Sequence, residues 1–325
     1  MRDVRDSAGR VRRIRAGPAG DGQRLDNFLL RELQGVPRSR VYRLVRRGEV
    51  RVNGRRARPD YRLQADDEVR LPPVRQAPGA GSVPLQVADG LRDLVRDAIV
   101  REDDRMIALN KPAGVAVHGG SGLAFGVIEA LRALRPGEPL ELAHRLDRDT
   151  SGCLVVAKSR AALRLVHALL REGEVEKHYA ALVEGDWQLG RKTIDAPVLT
   201  HLRQGGERVV RVNAAGKLAI SVFEPRAHFR DLATLVDVEI HTGRTHQIRV
   251  HAAFTGHPVA GDEKYGSREF NRRMKEFGLR RMFLHARSIA FRWPDSRERV
   301  EIEVDLPEDL KTVLGQLPAR RKTGN

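Results

Sequence analysis

The chain has one cysteine, Cys153, in 325 residues. A lone thiol closes no internal disulfide and supports no Cys-rich zinc site, which fits a reducing compartment. No apolar run approaches the roughly 18–20 residues that span a bilayer. The opening stretch MRDVRDSAGRVRRIRAG carries paired arginines but no apolar segment behind them, so a cytoplasmic protein without a secretory leader is expected. Two catalytic motifs are missing as well. There is no G-x-S-x-G elbow to give the glycine loop His118-Gly119-Gly120-Ser121-Gly122 a nucleophile, and no G-x-x-x-x-G-K-[ST] to cradle a nucleotide. His241, His246 and His251 recur every fifth residue, a spacing that shares no face of a helix or strand, so no metal site is expected.

What is present is positive charge. Lys and Arg total 59 against 43 Asp and Glu, a net +16. Such a balance attracts polyanions and makes their binding salt-sensitive, so nucleic acid is the leading partner. The excess is uneven: residues 1–72 hold 19 Arg and no Lys against 10 acidic residues, or +9 of the +16. The preference for Arg over Lys reflects biased codon usage, whereas the net charge asks for a partner. The N-terminal part is the anchor.

Length and 41% apolar content predict two domains with real cores. Residues 1–20 read as a basic flexible arm without apolar periodicity. A small module follows over 21–72. Leu25, Phe28, Leu29 and Leu33 have helical spacing, Ser39–Arg47 reads as a second helix stopped by Gly48, and Val50–Val52 alternates before an Asn-Gly turn. The Pro/Gly/Ala-rich stretch 73–90 is the expected linker. Beyond it, over 91–318, strand-like runs such as Leu154–Ala157, Tyr179–Val183 and Ala233–Ile240 mix with helical patterns such as Ala161–Arg171. Without strict βαβ alternation this predicts an α+β fold with a mixed, mainly antiparallel sheet. A basic tail, 319–325, closes the chain.

Three clusters could carry chemistry. In HRLDRDTSG, residues 144–152, Asp147 and Asp149 lie in a loop that feeds the apolar run Leu154–Ala157, a usual place for functional residues. Spacing does not separate the two aspartates, and on spacing alone a carboxylate that caps backbone N–H groups or pairs with Arg145 or Arg148 is the favoured reading. In HTGRTHQIRVH, residues 241–251, Thr245 can cap a helix reaching about Ala253, whose N-terminus beside Arg244 would suit a phosphate. In EKHYAALV, residues 176–183, alternation places Tyr179 opposite His178, by default as a core tyrosine.

Taken together and in this order, HRLD-x-x-TSG, K-x-Y and GRTHQIRVH resemble the signatures of the RluA family of pseudouridine synthases. The segment GQRLDNFLLRELQGVPRSRVYRLVRRGEVRVNG is similar to the RNA-binding domain named after small-subunit ribosomal protein S-four. HGGSGLAFGVIEALRALRP, GVPRSRVYR and the paired prolines after DEVRL are most like the branch that modifies large-subunit ribosomal RNA. The resemblance implies a pseudouridine synthase catalytic domain that isomerises uridines of 23S ribosomal RNA. Asp147 would be the catalytic aspartate and Arg249, in preference to Arg244, its basic partner. Tyr179 would pack on the uracil and serve as one candidate base for the last proton. Arg145 would enter the space left by the flipped base, with Arg244 and His144 also at the substrate, and Arg40, Arg43, Arg46 and Arg47 would hold RNA phosphates.

The reaction conserves atoms and electrons, so no cofactor and no metal are expected, and the chain should act as a monomer on ribosomal RNA or a pre-ribosomal particle, away from membranes. Two other readings stay open at this level: a non-enzymatic RNA-binding assembly factor, and a pseudouridine synthase acting on another RNA.

Overall fold

The computed structural model describes residues 11–33, 36, 38–74, 87–119, 125–204 and 207–318. The chain divides into two compact units, Met1–Gln86 and Val87–Asn325, each with its own apolar core.

In the first unit, strand β1 (Arg12–Arg15) precedes helices α1 (Leu25–Glu32) and α2 (Arg38–Arg46) and strands β2 (Arg51–Val52) and β3 (Glu68–Leu71). The strands pair antiparallel in the order β1-β3-β2. Helix α1 forms where Leu25, Phe28 and Leu29 recur at i, i+3 and i+4, and these bury against Val41 and Val45 of α2 and Val69 and Leu71 of β3. Buried Asp26 is tolerated there because Arg24 grips it at 3.1 and 2.7 Å and the Tyr42 hydroxyl donates at 2.9 Å. The Asn53-Gly54 pair makes a tight turn with φ of 50° and 74°, and Val52 and Arg55 exchange backbone hydrogen bonds across it.

Arg12–Arg15 correct one expectation. Composition puts them in an unstructured arm, yet they form β1, with Ile14 packed on the core opposite Val69 and Ala16 buried just beyond. A stretch with so few apolar residues shows no local period; its partner strand lies far downstream. The first half of that arm (1–10), most of the linker (75–86), the tip of the glycine loop (120–124), Gly35 and Pro37 of GVPRSRVYR, and the tail (319–325) lie outside the described residues.

The second unit runs α3 (Asp89–Asp97), β4 (Ile99–Glu102), β5 (Met106–Lys111), α4 (Val127–Leu134), β6 (Glu141–Leu142), β7 (Ser151–Ala157), α5 (Arg160–Glu172), β8 (Glu176–Glu184), β9 (Lys192–Asp195), β10 (Val198–Gln204), β11 (Glu207–Val212), β12 (Ile220–Phe229), β13 (Ala233–Ile240), α6 (Gln247–Phe254), α7 (Arg268–Glu276), β14 (Leu284–Arg292), β15 (Arg299–Glu303) and α8 (Glu308–Gln316). Helix α3 thus begins inside the stretch whose composition suggests linker. Among the described residues one large sheet has the order β4-β5-β7-β14-β8-β13-β12-β9, with β15 beside β14 and β6 beside β7, while β10 and β11 form a separate hairpin. Its pairings are antiparallel except that of β7 with β14, so the sheet is mixed and mainly antiparallel in an α+β fold.

Strand β7 is buried along its whole length because both faces are covered. Leu154 and Val156 join Ile107 and Leu109 of β5 against α4, whereas Cys153, Val155 and Ala157 join Met106 and Ala108 against Ala162, Val166 and Leu169 of α5. Helix α5 is delimited as its sequence implies, with Ser159 capping Ala162 N–H and Gly173 ending it in the left-handed region. At the head of β7, Gly152 has φ +112°, and a Cβ there would sit 2.1 Å from the Ala286 carbonyl oxygen of β14. Only glycine lets these two central strands approach, and the loop carrying Asp147 ends at this junction.

Candidate active site

The Asp147 loop is held from several sides. Thr150 N–H donates to the Asp147 carbonyl at 3.2 Å, closing the turn into β7. One residue on, Arg148 Nε donates to Gly114 O at 3.0 Å and Gly114 N–H returns a bond to Arg148 O at 2.9 Å. The ammonium of fully buried Lys111 donates to Pro112 O, Val115 O and Arg148 O at 2.8, 2.8 and 3.0 Å. Burial pushes Lys111 down to about 7, against the opposing pull of Asp149 and Asp147. At the other end, buried Ser151 Oγ accepts from Arg281 Nη1 at 3.2 Å and lies 2.9 Å from His285 Nδ1. His285 Nε2 faces the Val304 carbonyl at 3.2 Å, so that nitrogen carries the proton and Nδ1 accepts from Ser151.

The second cluster folds around a side chain that sequence rules do not single out. Gln247, buried at the start of α6, accepts from Thr242 Oγ1 at 2.7 Å and from Arg244 N–H at 3.0 Å. Its Nε2 donates to Ile220 O and Ser221 Oγ, both at 2.9 Å. This corrects the expectation of a Thr245 cap: the N-cap is His246, held at φ 55° and ψ 21°, and its side chain makes no cap bond. The Arg244 N–H is taken up by this glutamine. The three histidines spread apart. His251 is buried between Ser221 Oγ and Ala196 O, His241 stands 3.6 Å from Glu239, and His246 turns toward Asp147.

These two loops bring together an ion-pair chain. Arg249, on α6, donates from Nη1 to Asp147 Oδ2 at 3.2 Å. From Nε and Nη2 it grips both oxygens of Asp262 at 2.7 and 2.8 Å. Asp262 has no exposed side-chain surface, and its Oδ1 also accepts the N–H groups of Lys264 and Tyr265 at 2.9 and 3.1 Å. Burial works against its charge, but these bonds hold its carboxyl below the usual carboxylate range. Burial likewise opposes the Arg249 charge, which Asp262 and then Asp147 more than restore. The Tyr265 ring lies 5.0 Å below the Arg249 guanidinium, and its hydroxyl stands 2.8 Å from His246 Nδ1. His246 Nε2 is 3.8 Å from Asp147 Oδ2. Arg249, not Arg244, is the partner of Asp147.

Asp147 faces a cleft of about 790 Å³ with Tyr179, Lys177 and His144 on its walls. Tyr179 is buried on β8, and its phenol is pushed up first by that burial and then by the Asp147 charge. His144 lines the cleft, but its Nε2 accepts Val155 N–H at 3.0 Å, and burial pushes the ring down to about 4. The ring is therefore neutral, with Nε2 committed to the backbone. Arg145 is exposed at the cleft, and among the described residues no hydrogen bond or ion pair holds its guanidinium. Arg244 is exposed there too, its Nε donating to Leu218 O at 3.0 Å. In the first unit, Arg40, Arg43 and Arg46 on α2, with Arg47 just after it, are all exposed. Sequence reasoning missed Asp262, Tyr265 and Lys111 and gave Lys177 no role beyond its place in the K-x-Y motif; of these only Lys111, just after the apolar run 106–109, carried a local signal.

Residues 105–254 match the family described as RNA pseudouridylate synthase, and residues 23–69 match the S4 domain. Ribosomal large subunit pseudouridine synthase C of Escherichia coli (strain K12) is 52% identical over 302 residues, which covers 91% of this chain and 93% of that one. The protein of the same description from Haemophilus ducreyi is 51% identical over 301 residues, covering 92% and 93%. Among solved structures, Human RNA Pseudouridylate Synthase Domain Containing 1 superimposes with a TM-score of 0.57 at 28% identity, covering 69% of this chain and 88% of that one. Domain Containing 4 gives 0.58 at 25% identity, covering 70% and 95%.

Proposed function

This chain belongs to the RNA pseudouridylate synthase family, and from that premise we propose that it converts uridines of large-subunit ribosomal RNA to pseudouridine, with Asp147 as the catalytic carboxylate. The reaction breaks the bond from ribose C1′ to uracil N1, turns the free base, and rejoins it through C5. The proton on C5 is lost and N1 gains one. Nothing is oxidised or reduced, so the protein needs only to extrude the nucleotide, present a carboxylate, retain the base and move protons.

The observation that carries the reading is the Asp147–Arg249–Asp262 chain at the cleft wall. Arg249 is locked by buried Asp262, so its Nη1 is aimed at Asp147 Oδ2 while the carboxylate still faces the cleft. A carboxylate placed to attack a sugar or ring carbon, or to take a ribose proton, must face a polyanion, and the fixed guanidinium makes that tolerable. Tyr179, across the cleft, offers a ring face to the extruded uracil, which recovers part of the unstacking cost of a few kcal/mol. Its raised phenol stays protonated at neutral pH, so water is the better acceptor for the C5 proton and Tyr179 acts as platform. Arg145, exposed at the cleft and held by none of the described residues, is placed to fill the space the base leaves.

The S4 unit supplies affinity for phosphates through Arg40, Arg43, Arg46 and Arg47. The i, i+3, i+7 spacing of Arg40, Arg43 and Arg47 puts those three on one face. The boundaries expected at 21 and 91 shift outward: we place the anchor at 12–72, to include β1, and the catalytic domain at 89–318, to include all of α3. We take the chain to act as a monomer, in the cytoplasm, with the ribosomal RNA that its relatives' descriptions name. The test is to quantify pseudouridine across large-subunit ribosomal RNA from cells with and without the gene. Loss at one or more positions is expected, and unchanged levels everywhere refute the assignment.

A further inference from the structure

Lys177 is a buried lysine to which none of the described residues supplies a partner. Its side chain is on the cleft face of β8, two residues before Tyr179 and thus roughly 6.6 Å along the same face. The residue keeps 7% of its surface exposed and lines the cleft. Among the described residues no hydrogen bond and no ion pair reaches its ammonium. Lys111 shows what the same fold does with a lysine it intends to satisfy: three carbonyl oxygens within 3.0 Å.

The neighbours of Lys177 do not fill that need. His144 is committed to Val155 N–H, Asp147 is held by Arg249, and Glu172 on the α5 side of the cleft is exposed and forms no ion pair with it. Burial alone pushes the Lys177 ammonium down to about 8, the mark of a charge with nothing set against it.

We propose that Lys177 is an RNA ligand whose ammonium receives the phosphate joining the extruded uridine to an adjacent nucleotide. This rests on the RNA-modifying reading of the cleft. Three fixed carbonyls are needed to satisfy Lys111, and one uracil carbonyl would supply a single neutral acceptor, whereas a phosphate brings several oxygens and an opposite charge to a partly desolvated ammonium, and lysine binds phosphate as a point charge. Its place one sheet repeat from Tyr179 sets a phosphate beside the stacked base, so Lys177 would fix how far the nucleotide enters. The lysine is then a gauge of depth, and the cost of leaving it bare is repaid only when RNA is seated.

The test uses the full chain and a short RNA on which the wild type has been shown to form pseudouridine. Failure at that first step counts against the functional reading and leaves Lys177 aside. With active wild type, Lys177→Met should weaken RNA binding roughly tenfold to a hundredfold and flatten the slope of log K against log salt by about 0.7. In the wild type, an uncharged methylphosphonate at the linkage on the 5′ or the 3′ side of the target uridine should produce the same loss. Lys177→Met combined with that linkage should lose no more than either alone. An unchanged salt slope overturns the proposal, as do additive losses at both linkages. A Lys177→Met protein that fails to fold overturns it too, because a purely structural lysine is what that result describes.

Discussion

Replacing Arg249 with Met leaves Asp262 as a buried carboxylate without its counter-ion, and the consequence depends on pH in a direction the structure fixes. In the wild type, Arg249 contacts Asp262 at 2.7 and 2.8 Å, and Asp262 has no exposed side-chain surface. At an effective dielectric of about 20, charges at that separation attract by roughly 6 kcal/mol, which is a ceiling. Removing one partner of a buried pair costs about 3–5 kcal/mol. The Asp262 carboxyl is held low in the folded wild type, so its stabilisation is fully present above the unfolded carboxyl value near ~3.9 and is lost as pH falls through the lower folded value. Without Arg249 the sign reverses: the folded carboxyl rises above ~3.9, and the variant becomes less stable as pH climbs past it. The gap between wild type and Arg249→Met should therefore be about 3–5 kcal/mol at pH 7.5, roughly 6–20 °C in Tm, and should shrink clearly by pH 4.5. Both tryptophans, Trp187 and Trp293, are buried in the second unit, so their fluorescence in urea follows that unit alone. Arg249→Met combined with Asp262→Asn should regain most of the stability at pH 7.5 while staying inactive. A gap under about 1 kcal/mol at pH 7.5, or one that does not change with pH, would refute the reasoning.

Three further outcomes follow from single contacts. Gly152→Ala forces a left-handed alanine whose Cβ would lie 2.1 Å from a backbone oxygen, so this variant should be insoluble or lose at least about 3 kcal/mol in the same urea assay; wild-type stability would show that β7 and β14 can separate. Among the described residues nothing hydrogen-bonds the Tyr179 hydroxyl, so Tyr179→Phe should keep RNA affinity within about twofold, whereas Tyr179→Ala should weaken it roughly tenfold to a hundredfold in filter binding; equal losses would remove stacking as its role. Burial pushes the Cys153 thiol up to about 12, so a thiol reagent should label the native chain only at the rate of unfolding, and rapid labelling would show that the β7 core opens.

The local parts of the fold were readable because they are written in short periods. Leu25, Phe28 and Leu29 announce α1, Ser159 and Gly173 bracket α5, and Asn53-Gly54 turns as its composition requires. Strand β1 was not readable, since its support is the distant β3. The site follows the same division. Alternation placed Tyr179 on one face of a strand, but no spacing rule links Asp147 to Arg249 across 102 residues or Ser151 to His285 across 134. The order of the motifs supplied what spacing did not. Thr245 obeys the local rule for a cap and is overridden, because Gln247 reaches back to Arg244 and binds strand β12 as well. Asp262 and Lys177 carry the plainest lesson: one is a buried carboxylate made tolerable by an arginine on α6, the other a buried lysine with no partner among the described residues, and only coordinates tell them apart.

The central claim is that Asp147, held by Arg249, isomerises uridine in large-subunit ribosomal RNA. The direct measurement is pseudouridine mapping on that RNA after incubation with purified wild type and, in parallel, with Asp147→Asn. The account predicts new pseudouridine at discrete positions with the wild type and none above background with Asp147→Asn, although the variant still binds the RNA. Equal modification by both proteins, or none by the wild type on ribosomal RNA in any assembly state, would contradict it.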